Sequence, residues 1–112
     1  MSRNLVLYLD DILASIAKIQ RYTDDMTWET FVADERTFDA VARNLQIIGE
    51  AVKNIPTEMR DRYSQIEWRK IAGLRDILAH TYFAVEYEVI WDIVQTKLGD
   101  LRECIATMKS DL

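Results

Sequence analysis

The sequence predicts an all-α protein, an antiparallel helical bundle of four main helices plus one or two short helices, in a single domain spanning residues 1–112. Only three glycines and one proline interrupt the 112 residues. Apolar residues recur at alternating steps of three and four, which is the spacing of an amphipathic helix packed side by side with others. No stretch alternates apolar and polar residues with a period of two for long enough to form a strand.

The first half of the chain contains two long predicted helices and two short ones. The long helices cover about 4–23 and 34–54. Thr27 is a suitable N-cap for a short helix between them. Pro56 fits the first turn of a second short helix over about 56–63, where its missing N–H costs least. The apolar stripes consist of Leu5, Leu9, Ile12, Ile16 and Ile19 in the first helix and Phe38, Val41, Leu45, Ile48, Val52 and Ile55 in the third.

The second half contains two further main helices. One covers about 67–81, and a turn at 82–84 precedes a long last helix with the most regular apolar repeat in the chain. Gly73 lies inside the first of these helices and, like Gly49 in the preceding long helix, would let another helix approach closely. Gly99 is a point where the last helix can bend. The repeat consists of Tyr87, Trp91, Val94, Leu98, Leu101, Ile105 and Met108.

Composition excludes several classes of protein. The net charge of −5 argues against a general nucleic-acid binder, although residues 36–75 carry eight basic and five acidic side chains, a local net charge of +3. No apolar run is long enough to span a membrane, and acidic residues come too early for a signal peptide. Cys104 is the only cysteine, which suits a reducing cytoplasm. One cysteine and one histidine exclude an ordinary structural zinc site within one chain, so we expect no metal.

The only histidine lies in the stretch Arg75-Asp-Ile-Leu-Ala-His80-Thr-Tyr82. An arginine can hold an anionic phosphate while an imidazole moves a proton, so the pair could cleave a phosphate ester without a metal or another cofactor. Five helical positions rotate by about 140°, so Arg75 and His80 would not share one helix face. Either His80 lies on a fraying last turn, or the working pair is assembled across a dimer. Asp76, four residues before His80, could orient the imidazole as a supporting residue.

For RNA, this chemistry needs two imidazoles with different tasks. One histidine removes the proton from a ribose 2′-hydroxyl, which attacks the adjacent phosphorus, and a protonated histidine gives a proton to the departing 5′-oxygen. Arginines stabilise the charge that builds on the phosphate. Because each chain has one histidine, a two-fold homodimer would bring two copies of Arg75 and His80 to one cleft. The spacing itself is also compatible with a structural histidine at a helix end.

The motif and its surroundings resemble the HEPN superfamily, and more narrowly the HepT-like toxins of toxin–antitoxin systems that contain a minimal nucleotidyltransferase. The family pattern R-x4-H-x-Y is met by Arg75, His80 and Tyr82. The segments 39–51 and 89–92 and Pro56 are similar to that family in the same order and spacing, so the resemblance covers nearly the whole chain.

The resemblance implies a helical bundle that dimerises around the motif helix and acts as a cytoplasmic, metal-independent endoribonuclease of a type VII-like toxin–antitoxin system. Arg75 and His80 would be its catalytic residues. The partner nucleotidyltransferase, acting as the antitoxin, would transfer AMP from ATP to the hydroxyl of Tyr82. An alternative is a non-catalytic helical module that binds a nucleotidyltransferase, which needs the same surface but no proton transfer by His80.

Overall fold

The computed structural model describes the backbone of residues 3–79 and 87–112 and the side chains of residues 4–74 and 87–112. The described backbone contains helices and turns, and no strand occurs in those two ranges, which confirms the all-α class. The helices are α1 (Arg3–Thr23), α2 (Trp28–Val32), α3 (Glu35–Val52), α4 (Thr57–Asp61), α5 (Trp68–Ala79), α6 (Tyr87–Thr96) and α7 (Leu98–Ser110).

Helix α3 lies at the centre of the bundle. It packs along both α1 and α5, while α7 packs against α1 and α6 against α2. The predicted stripes of α1 and α3 form the core, with Phe38 at its partly buried margin. Each fully buried aliphatic side chain stabilises the fold by roughly 1.5–3 kcal/mol relative to exposure. The residues with essentially no exposed surface include Leu9, Ile12, Ile16, Ile19, Val41, Leu45, Ile48 and Val52.

Two N-caps fix the connection between α1 and α3. The backbone N–H of Thr30 donates to Thr27 Oγ1 at 3.2 Å, and the N–H of Thr27 donates to Thr30 Oγ1 at 2.9 Å. This reciprocal pair confirms Thr27 as the predicted N-cap. Asp34 caps α3 by accepting hydrogen bonds from the Thr37 hydroxyl at 2.7 Å and the Thr37 N–H at 3.1 Å. These bonds hold the pKa of the Asp34 carboxyl below its usual value.

The helix ends differ from the predicted ones by one or two residues at several places, such as the ends of α3 and α4, and two further differences concern Pro56 and the last helix. Pro56 is the N-cap of α4 rather than a residue of its first turn. The predicted long last helix is interrupted at Lys97, which separates α6 from α7 two residues before Gly99. The Lys97 N–H still donates to Ile93 O and the Lys97 carbonyl still accepts from Leu101, so the interruption is a one-residue departure from helical geometry. The predicted turn at 82–84 lies outside the described residues.

None of the helices in the described part of the chain combines the length and the apolar character that a membrane-spanning helix requires.

Candidate active site on helix α5

The start of α5 is fixed by Trp68. Its side chain is buried, and its indole N–H lies 3.0 Å from the carbonyl oxygen of Arg60 and 3.1 Å from that of Tyr63. A buried indole that donates to two backbone carbonyls is constrained in both position and rotation. Trp68 therefore sets the direction in which α5 leaves α4, and it acts as a core anchor rather than as a surface for stacking bases.

An exposed cluster of charges reinforces the same end of the helix. The Glu67 carboxylate lies 2.7 Å from Lys70 Nζ and 3.6 Å from Lys97 Nζ. A hydrogen bond from Lys70 and the positive charges of Lys70 and Lys97 lower the pKa of Glu67. The Glu67 carboxylate in turn raises the pKa of Lys70. Glu67 thus connects the first turn of α5 to the junction between α6 and α7.

The middle of α5 has one buried face and one open position. Leu74 is buried in the core, and Ile71 and Ala72 pack against it. Gly73 is half-buried, and a Cβ atom built on it would meet no atom of the described residues within 4 Å. Leu74, directly before Arg75, is therefore anchored in the core, whereas the described residues leave open space beside Gly73.

The predicted site residues begin immediately after this anchored stretch. Arg75 and Asp76 belong to α5, which ends at Ala79. Their side chains and the whole of His80 and Tyr82 lie outside the described residues. The catalytic roles of Arg75 and His80, the supporting role of Asp76 and the modification of Tyr82 therefore stay predictions.

An aromatic cluster fixes the chain where it re-enters the bundle at α6. The rings of Tyr87 and Phe38 stack with centroids 4.0 Å apart and an interplanar angle of 23°. Phe31 lies at the centre of the cluster, 6.0 Å from Tyr87 and 4.9 Å from Trp91. Trp91, like Trp68, is therefore part of the packing, as its helical spacing predicted. The cluster ties the first turn of α6 to both α2 and α3.

A groove of about 380 Å³ lies between α1 and α3, and the sequence did not predict it. Its lining is of mixed charge and consists of Tyr8, Asp11, Arg43, Gln46, Ile47, Glu50 and Ala51.

A buried polar side chain on α3 was also not predicted from the sequence. The Asn44 side chain is only 6% exposed, and its amide N–H donates to Ala40 O at 2.9 Å. Its Oδ1 has no hydrogen-bond partner among the described residues. The sequence feature that could have indicated this is the polar Asn44 directly beside Leu45 of the apolar stripe of α3.

The acidic and thiol groups that could suggest a metal site have structural explanations. Within residues 4–74 and 87–112, no three side chains of His, Cys, Asp or Glu come together as ligands would. Asp10 instead forms an ion pair with Lys109 at 2.6 Å, joining α1 to α7. Burial raises the pKa of Cys104 to about 11, so its thiol is protonated at neutral pH.

Comparison with known proteins gives a consistent result. Residues 12–108 match the family described as ribonuclease HepT-like. The chain is 46% identical to "Putative RNase MJ0127" of Methanocaldococcus jannaschii over 86% of this chain and 80% of that protein. It is 40% identical to "Probable ribonuclease HepT" of Thermococcus cleftensis, over 91% of this chain and 93% of that protein. No solved structure matches the chain.

A third relative is about twice as long as the segment that matches this chain. The chain is 39% identical over its full length to "Gamma-glutamylcyclotransferase and putative RNase MJ0434" of Methanocaldococcus jannaschii, but it spans only 50% of that protein.

Proposed function

The chain belongs to the ribonuclease HepT-like family, and we propose that it is a metal-independent endoribonuclease that works through Arg75 and His80 at a homodimer cleft. The observation that carries this proposal is the R-x4-H-x-Y motif, Arg75 to Tyr82, inside the matched region 12–108. The names of the relatives, which describe ribonucleases, support RNA as the substrate.

The proposed reaction balances with two histidines and no other reactant. One His80 takes the proton of the ribose 2′-hydroxyl while the 2′-oxygen forms a bond to phosphorus. The bond from phosphorus to the 5′-oxygen breaks, and the protonated His80 of the second subunit gives its proton to that oxygen. The products are a 2′,3′-cyclic phosphate and a 5′-hydroxyl. The Arg75 guanidinium stabilises the negative charge on the phosphate in the transition state.

The anchoring of α5 supports this use of the helix. A group that stabilises a transition state must be held near its working position before the substrate arrives. Trp68 and Glu67 fix the first turn of α5, and Leu74, the residue directly before Arg75, is itself buried. The backbone of α5 is therefore a suitable support for a phosphate-binding arginine.

The test is cleavage of RNA by the purified, unmodified protein in the presence of EDTA. We expect RNA fragments with cyclic phosphate ends from the wild type, and a loss of rate of at least about 100-fold in His80→Ala and Arg75→Ala. Arg69→Ala is the matched control, because Arg69 is an exposed arginine on the same helix, and it should cleave within a few-fold of the wild type. Undiminished cleavage by folded His80→Ala protein would refute the acid–base role.

We further propose that Tyr82 is the point of control in a type VII-like toxin–antitoxin system in the cytoplasm. A minimal nucleotidyltransferase antitoxin would transfer AMP from ATP to the Tyr82 hydroxyl. The Tyr82 oxygen forms a bond to the α-phosphorus, the bond from the α-phosphorus to the oxygen that bridges it to the β-phosphorus breaks, pyrophosphate leaves, and the phenolic proton is released. Tyr82 is two residues from His80, so the attached nucleotide would block the substrate phosphate by its volume and its negative charge.

This control is tested by incubating the protein with the partner enzyme and ATP, then recording intact mass and RNA cleavage. We expect wild type to gain the mass of AMP and lose activity, and Tyr82→Phe to gain no mass. Tyr22→Phe is the matched control because Tyr22 is 38% exposed on α1, and it should be modified like the wild type. Modification of Tyr82→Phe would assign the target to another residue.

The alternative of a non-catalytic module that binds a nucleotidyltransferase predicts a different outcome of the first test. Such a protein would bind and be modified by the partner, yet the unmodified dimer would leave RNA intact. Binding of the partner alone does not separate the two functions, whereas cleavage that requires His80 does.

A further inference from the structure

The groove between α1 and α3 has the size and the walls of a site for a small group. Its volume of about 380 Å³ lies at the lower end of the range for ligand pockets in proteins, roughly 300–1,000 Å³. The half-buried Tyr8 of α1 and the half-buried Ile47 of α3 supply apolar surface, and polar side chains of both helices line the same space. A small molecule with apolar faces and polar edges therefore matches the groove.

The polar groups of the groove favour a ligand that donates hydrogen bonds. The side chains of Asp11 and Glu50 are exposed, and an ionised carboxylate only accepts hydrogen bonds. Gln46 adds an amide and Arg43 a cation. An amino group on one edge of the ligand would satisfy a carboxylate, whereas a carbonyl oxygen at the same place would be repelled by it.

The groove leads toward buried polar groups on both helices. It joins the first half of α1 to the second half of α3, so the two helices are antiparallel. Asn44 is one turn before Ile47 on α3, and the buried Ser15 is one turn after Asp11 on α1, so both lie beyond the same end of the groove. Asn44 is 6% exposed, and its Oδ1 has no hydrogen-bond partner among the described residues. A donor that reaches this end would complete it.

We propose that the groove binds one base of the RNA substrate, a base with an exocyclic amino group, a few nucleotides from the cleaved phosphate. The inference rests on the proposed function for its substrate, and it adds where a base is selected. Unstacked bases of single-stranded RNA are recognised by stacking on aromatic rings and by hydrogen bonds to their edges. Tyr8 supplies the ring, and Asp11 accepts from the amino group. Uracil has a carbonyl oxygen where cytosine has its amino group, so the groove discriminates against uracil.

The phosphate backbone of the RNA has a separate contact. Arg43 is exposed at the groove, and Arg36 is exposed seven residues earlier on the same face of α3. Guanidinium groups bind phosphate oxygens and contribute affinity without base preference. The two arginines therefore offset the repulsion between the acidic groups of the groove and the RNA backbone.

The position of α3 connects the groove to the proposed catalytic helix. Helix α3 packs along α1, where the groove lies, and along α5, which carries Arg75. Packed helices lie about 8–10 Å apart from axis to axis. A strand of a few nucleotides can therefore pass over α3 with one base in the groove and a phosphate at α5. The selected base is remote from the reacting bond, so it contributes to binding and leaves proton transfer by His80 unchanged.

The test measures binding separately from cleavage. His80→Ala protein, which leaves RNA intact under the proposed mechanism, is titrated with fluorescent single-stranded oligonucleotides of cytosine or of uracil. We expect the uracil oligonucleotide to bind at least about tenfold more weakly. Asp11→Asn should reduce the preference to within about twofold, because an amide both donates and accepts. Asp100→Asn, the matched control at an exposed aspartate of α7, should keep the preference.

Two further variants separate the contacts within the site. Arg43→Ala should weaken both oligonucleotides by the same factor, because its contact is with phosphate. Asn44→Leu should unfold at a urea concentration at least as high as the wild type, because it removes a buried acceptor without a partner, yet it should bind the cytosine oligonucleotide more weakly. Unchanged binding by Asn44→Leu would overturn the role of Asn44.

Equal affinity for cytosine and uracil oligonucleotides in folded His80→Ala protein would overturn base recognition in the groove. A cytosine preference that persists in Asp11→Asn would overturn it too, and would place recognition elsewhere. If the wild type cleaves RNA but the groove fails these tests, the proposed nuclease is retained and the groove is refuted. A cytosine preference that depends on Asp11, in a protein whose wild type leaves RNA intact, would retain the groove and refute the nuclease instead.

Discussion

The first turn of α5 and the first turn of α6 lie on either side of residues 80–86, and they are held by different kinds of interaction. The start of α5 depends on directed polar contacts. The Trp68 indole donates to two backbone carbonyls, and the Glu67 carboxylate binds two lysines. The α6 end depends on ring packing, since Tyr87 stacks on Phe38 beside Phe31 and Trp91.

The difference indicates how each end should respond to substitution. A directed hydrogen bond fixes both the position and the rotation of the helix, and a smaller apolar group does not replace it. Ring packing depends on shape, so a substitution that keeps the ring keeps most of the interaction. We therefore expect the start of α5 to be sensitive to the loss of polar atoms, and the start of α6 to be sensitive to the loss of the Tyr87 ring.

The largest effect is expected at Trp68. Trp68→Phe keeps an aromatic ring but removes the donor to Arg60 O and Tyr63 O and leaves unfilled space, so the free energy of unfolding should fall by about 2–3 kcal/mol. Urea unfolding measures this change. Trp28→Phe, at a half-buried tryptophan, is the control and should cost less than about 1 kcal/mol. Equal losses for the two variants would contradict the special role of the Trp68 indole.

An intermediate effect is expected at Tyr87. Tyr87→Leu removes the stack on Phe38 and should lower the free energy of unfolding by about 1–1.5 kcal/mol. Tyr87→Phe retains the ring and should unfold at nearly the same urea concentration as the wild type. If the phenylalanine variant were as unstable as the leucine variant, ring packing would not be what holds α6.

The smallest effect is expected at Glu67, whose contacts with lysine are exposed to water. Glu67→Gln should cause only a slight loss of stability at neutral pH and low salt. Because the pKa of Glu67 is lowered in the folded state, its contribution is present above the unfolded pKa and is lost as the pH falls through the folded value. Thermal unfolding of both proteins should therefore converge in acid and in high salt. A difference that persists in acid would assign the effect to another interaction.

The sequence was sufficient to predict the elements that bury one periodic face. Leu9, Ile12 and Ile16 predicted α1, and they have no exposed surface in the structure. The interruption at Lys97 was not predictable in this way, because the hydrogen bonds to Ile93 and from Leu101 persist across it and the apolar repeat is unbroken. The contact of Glu67 with Lys97 joins residues far apart in the chain, so local spacing gives no indication of it.

The candidate site stays a prediction, because its functional side chains lie outside the described residues. The residue types of Arg75, His80 and Tyr82 suggest the chemistry, and all three positions fall within the matched region 12–108. Spacing alone does not determine how Arg75 and His80 meet, because five positions rotate a regular helix by about 140°. The open position at Gly73 also required the structure. The sequence shows a glycine there, but only the structure shows that the described residues leave the space beside it open.

The central claim, that one cleft needs His80 from two copies of the chain, is tested most directly by mixing subunits. Wild type and His80→Ala would be unfolded together and refolded at varied proportions, with total protein constant, and the rate of RNA cleavage in EDTA recorded. If each cleft requires both histidines, the rate should follow the square of the wild-type fraction, falling to about a quarter in an equal mixture. A rate proportional to the wild-type fraction would show that one histidine suffices and would contradict the shared site.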